Sequence, residues 1–265
     1  MKIRTLESFV AVSAILAVTA VADDARIAAY KSQLGPVRVT QLPTETARLV
    51  AAEKTDSRAA AADAVTAAVS LKSASAPLVV GSVAKSSPQA AATAAAAAVK
   101  LQPKVAAAIT RAAVSAAPSE MDAIVSALCK ARPTAFYVVG VSAAQAAPKS
   151  ADRVLPAITT AIPSLKPLVD RARADFAKSH RTASLAMLLK HTDNLLAALA
   201  TDLNKSPEAV LAGELDSTAT TRLASLAVMP PVQNPPFVGG GGTPTEITPT
   251  DTTETPPTGR VYSAP

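Results

Sequence analysis

The chain has 265 residues, of which 49% are apolar, yet only 3% are aromatic and tryptophan is absent. Alanine supplies most of the apolar share, and because alanine is the strongest helix former, this composition favours an all-α protein with a core of small side chains. The net charge of +6 is too mild for a nucleic-acid-binding arm, and a single cysteine excludes an intramolecular disulfide.

The first 22 residues have the features of a secretory signal peptide. Lys2 and Arg4 give a basic start, residues 9–22 form an apolar run, and Ala-Val-Ala at 20–22 fits the small-x-small cleavage rule. We therefore predict cleavage after Ala22 and an exported protein, periplasmic or extracellular. The alternative is an uncleaved membrane anchor, but this run is shorter than the ~20 apolar residues that span a bilayer. No later segment is long and apolar enough to do so.

Residues 23–42 form a predicted leader with one helix, and prolines then recur every fifteen residues. Proline is tolerated at the first position of a helix but not in its interior, and it pushes the preceding residue out of the helical region. Each proline is therefore expected to end one helix and begin the next. The prolines of this grid are Pro43, Pro88, Pro103, Pro118, Pro133, Pro148 and Pro163, and Arg58 and Ser73 occupy the two remaining grid points.

Apolar residues recur at positions 4, 7, 8 and 11 of the fifteen-residue units, which is the spacing of an amphipathic helix. A helix of about 12 residues is marginal alone in water, so the units must stabilise one another. We predict a stacked array over residues 43–177, in which two antiparallel helices form a 30-residue hairpin repeat. The seventh position is apolar in every unit: Leu49, Ala64, Val79, Ala94, Ile109, Ile124, Val139, Val154 and Val169.

Hydroxyl side chains near the unit boundaries are candidate helix N-caps, including Ser57 and Ser73 where the grid lacks a proline. Three prolines depart from the grid. Pro77 and Pro167 fit the first turns of helices, whereas Pro156 predicts a break or kink.

This layout resembles short HEAT-like α-solenoids, and more closely the secreted, alanine-rich helical-hairpin repeat proteins of some bacteria. The resemblance covers residues 43–177 and implies an α-solenoid-like stack of short antiparallel helices. It implies no particular activity, because such repeats serve as scaffolds and binding surfaces of many kinds.

Residues 178–229 are richer in leucine and form a predicted helical cap over the open end of the array, with a dimerisation surface as the alternative. A long helix is expected near 184–203, a short one from Ser206 and a last one at 217–229. Residues 230–265 are rich in Pro, Thr and Gly and predict a disordered tail. Its four glycines at 239–242 are interpreted as a hinge, and its terminal GRVYSAP as a ragged end or a recognition signal.

No motif indicates catalysis, a cofactor or a metal. His180 and His191 have no cysteine or carboxylate at ligand spacing, and no nucleophile elbow is present. Ser82 and Lys85 match S-x-x-K, but its partner motifs are absent. Cys129 is interpreted as a buried apolar residue, with a bridge between two chains as the alternative.

One basic cluster lies in the segment 166–190, where cations outnumber carboxylates. It is either a polyanion-binding face or a solvated helix face with i,i+4 ion pairs, and the second interpretation is favoured. The absence of interleaved aromatics disfavours single-stranded nucleic acid. The candidate polyanion-binding residues are Lys166, Arg171, Arg173, Lys178 and Arg181.

The sequence thus predicts an exported, non-catalytic structural or interaction protein of the cell envelope or extracellular space, whose partner is a protein or an envelope polymer. Two alternatives stay open: a polyanion-binding envelope protein that uses the 166–190 segment, and an enzyme subunit whose site is not visible in the sequence. The oligomeric state is not predicted.

Overall fold

The computed structural model describes residues 24–53, 55–178 and 183–213, together with 221, 222 and 225. Within these residues the regular structure is helical, without a strand. The chain divides into the units Met1–Pro231 and Val232–Pro265, and the described residues all belong to the first. The predicted signal peptide with Ala22, and the predicted tail with its hinge and GRVYSAP terminus, lie outside the described residues.

Short helices follow one another at nearly constant spacing. The first, α1, is helical over residues 24–34. The others are α2 (Leu42–Ala52), α3 (Ser57–Leu71), α4 (Ala76–Ser86), α5 (Ala91–Leu101), α6 (Ala106–Ala116), α7 (Met121–Ala131), α8 (Phe136–Ala146), α9 (Val154–Ala161), α10 (Lys166–Lys178), α11 (Leu185–Asp202) and α12 (Pro207–Ala212). This confirms the predicted all-α fold of stacked short helices.

The helices α2 to α9 form two layers. Each helix packs most extensively against the next but one in sequence, so that α2, α4, α6 and α8 form one layer and α3, α5, α7 and α9 the other. Consecutive helices also contact each other, across the layers. A chain that alternates between two layers through short connections is an α-solenoid-like stack of antiparallel helices.

From α3 onward, one non-helical residue and a short 3-10 turn join each helix of the array to the next. Ser87 is typical: its amide donates to the carbonyl of Val83 at the end of α4, and its own carbonyl accepts from Ala90 in the next turn. Its φ of −139° and ψ of 77° lie outside the helical region, as expected before proline. The grid proline then opens a short 3-10 turn that leads into the next helix. The same arrangement recurs at Lys72, Gln102, Ala117, Arg132, Ala147 and Ile162.

This backbone junction replaces most of the expected side-chain caps. Ser73 makes no capping hydrogen bond, and Lys72 before it serves as the junction. At α3 the cap is Asp56, whose Oδ1 accepts from the amide of Ala59, rather than Ser57. Among the described helices, side-chain caps of this kind also begin α11 at Ser184 and α12 at Ser206, the latter as predicted.

The off-grid proline Pro156 does not break a helix. It lies in the first turn of α9, where a missing amide removes no helical hydrogen bond. The irregularity lies earlier, at Ser150, whose φ of −117° and ψ of 16° interrupt the 3-10 stretch Pro148–Arg153. Pro77 and Pro167 lie in the first turns of α4 and α10, as predicted.

The core follows the predicted positions, and its side chains increase in size from α3 onward. The seventh-position residues are buried except Leu49, which is half-buried. In α3, α4 and α5 the buried apolar side chains are alanine and valine alone. From α7 onward they include Met121, Leu128, Phe136 and Ile158. The alanine-lined core is therefore confined to the first half of the array.

The regular alternation ends at α9. On the side where α8 would meet a further helix of its layer, its extensive contacts are with α11, and α10 packs against α11. The short α12 lies on the 3-10 turns Pro133–Ala135 and Pro163–Leu165. The leucines of α11 thus contact the even-numbered layer at its C-terminal end.

Gly140 makes the close contact of α8 with α11 possible. A Cβ atom at this position would lie 2.6 Å from Leu189 Cδ1 and 2.8 Å from Ile158 Cδ1. Both side chains are fully buried, so neither can move without disturbing its neighbours. By contrast, a Cβ atom at Gly81 in α4 would meet Ala112 Cβ at 3.5 Å, an ordinary contact.

We expect Gly140→Ala to lower the free energy of unfolding by about 1–2 kcal/mol, because overpacking outweighs the gain in helix propensity. The matched variant Gly81→Ala should raise it by up to about 1 kcal/mol, since only propensity changes there. Urea denaturation followed by circular dichroism measures both. Equal effects of the two substitutions would contradict the close approach of α11 to α8.

Candidate functional site

The structure distributes the basic segment among separate ion pairs. On α10, Lys166 Nζ lies 2.9 Å from Asp170 Oδ2, one turn away. On α11, Lys190 Nζ lies 3.2 Å from Asp193 Oδ2 and 5.3 Å from the centre of the Tyr137 ring of α8. These cations face carboxylates of their own helices, which reduces the positive potential that they present to solvent.

Arg171 takes part in a buried network that sequence reasoning missed. Its Nε lies 3.1 Å from Asp175 Oδ1, and Asp175 Oδ2 lies 3.2 Å from Nε2 of His191 on α11. Asp175 is 3% exposed and His191 5%. The ring of Phe176 meets the imidazole edge-on, with ring centres 5.5 Å apart.

A carboxylate beside a histidine is a frequent arrangement in catalytic sites, but here its surroundings favour a structural role. Both side chains are closed off from solvent, so a substrate could not reach the imidazole without the separation of α10 from α11. The pair links α10 to α11. We therefore interpret it as the polar connection that fixes α10 against α11.

The remaining cations of the cluster differ in their surroundings. Arg173 and Lys178 are exposed on α10 and make no ion pair within the described residues. Arg181 lies outside the described residues, as does His180. Of the five candidate residues, Lys166 and Arg171 are thus in ion pairs, and Arg173 and Lys178 are not, within the part of the chain that the structure describes. The fifth, Arg181, has no described position.

Two aspartates of α10, each paired with a cation one turn away, permit a matched stability test. Asp175→Ala should lower the free energy of unfolding by about 3–5 kcal/mol, because Arg171 and His191 lose a buried partner. Asp170→Ala should change it by less than about 1 kcal/mol, since its pair with Lys166 is exposed. Chemical denaturation of the two variants measures the difference. Similar values would show that the buried network does not hold α10.

A shallow groove of about 520 Å³ lies between α7 and α9. Asp122 and Arg153 form an ion pair across it, with Arg153 Nε 3.1 Å from Asp122 Oδ2. The two residues are 31 positions apart, so the pair joins successive hairpins on the surface of one layer. A second groove, of about 450 Å³, lies between the turns at Ser57, Pro88 and Glu120. Both grooves are open to solvent.

Other residues singled out from the sequence do not form a site. Ser82 and Lys85 lie one turn apart on α4, and Lys85 is exposed. The described residues contain no group of three or more His, Cys, Asp or Glu side chains that could hold a metal ion. Within the same part of the chain, no helix combines the length and apolar character that crossing a membrane requires.

Comparison with protein-family models, with curated proteins and with solved structures found no match. The resemblance to secreted bacterial repeat proteins therefore stays a prediction.

Cys129 is buried in α7, and its burial raises the pKa of the thiol to about 12. The reactive thiolate is therefore scarce at neutral pH while the protein is folded. This buried environment favours the interpretation of Cys129 as a small core residue over its use in a disulfide between two chains.

We expect Cys129 to resist Ellman's reagent at pH 8 in the native protein and to react fully in denaturant. The variant Ser115→Cys provides the control, because Ser115 is exposed on α6 and its thiol should react at once. Stoichiometric labelling of unmodified native protein would contradict the burial of the thiol.

Proposed function

We propose that this chain is an exported, non-catalytic scaffold or binding protein of the cell envelope or extracellular space. The observation that carries the proposal is the continuous two-layer array from α2 to α9, built from one repeated unit. Such arrays expose long surfaces to which each repeat contributes equivalent positions, which suits contact with a macromolecule.

The placement of the charged side chains supports the same function. Arg153 and Asp122 join successive hairpins, while Asp175 and His191 join α10 to α11. These ion pairs therefore join neighbouring helices, which is a structural role that fits a scaffold. The partner belongs to the class of proteins or envelope polymers.

The ion pairs of Lys166, Arg171 and Lys190 weaken the case for the 166–190 segment as a polyanion-binding face. Arg173 and Lys178 are its exposed cations without an ion pair within the described part of the chain. A variant that neutralises Arg171 would also disturb Asp175, so Arg173→Gln with Lys178→Gln is the cleaner test of this segment.

Export rests on the sequence of the first 22 residues. N-terminal sequencing of protein recovered outside the cytoplasm should begin at Asp23. Recovery of a chain that begins at Met1 or Lys2 would contradict cleavage after Ala22.

The binding function predicts saturable association of the purified protein with isolated envelope fractions, measured by co-sedimentation, and no turnover of envelope substrates. Arg173→Gln with Lys178→Gln should leave this association within about twofold if the segment is a solvated face. Turnover that Asp122→Asn or Asp152→Asn abolishes would overturn the proposal and would place an active site in the groove between α7 and α9.

A further inference from the structure

The two-layer topology places alternate connections at opposite edges of the array. Consecutive helices are antiparallel, so the connections that follow odd-numbered helices, from α1 to α9, all lie at one edge. We call this the basic edge; its connections are residues 35–41, 72–75, 102–105, 132–135 and 162–165. The other connections lie at the opposite edge.

Contacts with other elements support this assignment. The helix α12 touches both Pro133–Ala135 and Pro163–Leu165, so these two turns lie side by side. At the opposite edge, the turns at Ser57, Pro88 and Glu120 line one groove.

The basic edge carries cations without carboxylates. Residues 35–44, 69–78, 99–108, 129–138 and 159–168 include no aspartate or glutamate. Lys166 pairs with Asp170, just beyond the last range. The other cations make no ion pair within the described part of the chain, and they are Arg38, Lys72, Lys100, Lys104, Lys130 and Arg132. The opposite edge carries charges of both signs; for example, Glu120 and Lys149 both lie there.

Exposed aliphatic side chains collect at the same edge. Leu78 is 67% exposed, Val39 52% and Leu101 41%. Leu101 lies directly between Lys100 and the junction before Pro103. Of the large hydrophobic side chains that the described residues expose, Met187 alone lies away from these connections; the others are Val39, Leu71, Leu78, Leu101, Val105 and Val138.

Near its C-terminal end, this edge is already covered by the chain itself. The hydroxyl of Ser164 donates to the carbonyl of Leu211 at 2.7 Å, and Val210 and Leu211 of α12 are buried. Toward the N-terminal end the described residues leave the edge uncovered.

We propose that the basic edge binds the surface of an anionic lipid membrane. Basic side chains near such a surface are attracted to lipid phosphates, and neighbouring aliphatic side chains enter the boundary of the acyl region. A soluble polyanion would use the cations but gain nothing from Leu78 or Leu101. A membrane interacts with the cations and with the aliphatic side chains, and the turns of successive repeats present the two kinds of side chain along one edge.

This inference rests on the proposed binding function, and it gives that function a lipid surface as partner in place of a protein or an envelope polymer. Because the chain contains no tryptophan, one introduced tryptophan reports its own surroundings without background. In the full chain, Leu101→Trp should shift its fluorescence to shorter wavelength on addition of vesicles of equal parts phosphatidylglycerol and phosphatidylcholine. Gln89→Trp, exposed at the opposite edge, should not shift. Binding through any other segment would leave both reporters unchanged.

Three further sets of variants in the Leu101→Trp chain separate the contributions of charge and of apolar contact. Lys100→Gln with Lys104→Gln should weaken vesicle partitioning about 25-fold, about fivefold for each cation. The matched change at the opposite edge, Lys85→Gln with Lys149→Gln, should weaken it by less than about threefold. Leu78→Ser should weaken it about tenfold, and its high exposure leaves the fold intact.

The absence of a shift at position 101, or equal shifts at positions 89 and 101, would overturn the proposal. A shift with dextran sulfate in place of vesicles, together with no effect of Leu78→Ser, would also overturn it and indicate a soluble polyanion. If one of these results is obtained and the protein still associates with envelope fractions, the membrane proposal fails and the proposed binding function stands. Turnover of an envelope substrate would instead contradict the proposed binding function.

Discussion

The residue shared between consecutive helices is the constraint on which the array depends. At Ser87 and its equivalents, one amide ends a helix and one carbonyl begins the next 3-10 turn, so that most connections take four residues in all. Proline follows this residue at every equivalent except Lys72 and keeps it outside the helical region. Lys72, which precedes Ser73, has the same conformation, with φ of −143° and ψ of 88°. With so short a connection, the chain can only fold back, and every second helix returns to the same layer. The spacing of the prolines thus sets the length of each helix and the register of its neighbours.

Small side chains follow from the same constraint. Helices joined by such short connections lie close together, and alanine or valine at the contact positions permits this approach. In α5 the buried side chains are four alanines and one valine. Hydroxyls are also tolerated in the core where they bond to their own helix, as Thr110 does to the carbonyl of Ala106 at 2.8 Å. Even Gly140 fits this rule, because its neighbours occupy the space that a methyl group would fill.

Local rules made the helices, their boundaries and their buried positions predictable from the sequence. Proline geometry and apolar spacing act within one unit, and the structure follows them as far as Val169. The cap at Asp56 was missed because Ser57, one residue later, is also a residue type that caps helices. Ser73 does not cap, because backbone atoms satisfy the junction at Lys72. The packing of α11 on α8 and the contact between Asp175 and His191 depend on how distant segments meet. No periodicity in the sequence encodes such contacts.

The core side chains become larger along the array, from alanine and valine in α3–α5 to methionine, leucine and phenylalanine from α7 onward. This gradient has a consequence for local unfolding. Each repeat touches only its neighbours, so stability is the sum of nearest-neighbour interfaces. Interfaces that bury more apolar surface are stronger. Local unfolding therefore starts among the alanine-rich repeats, while the C-terminal repeats and α11 persist as the last ordered part. The basic edge belongs mainly to the half that opens first, so a partner bound there stabilises the weakest hairpins.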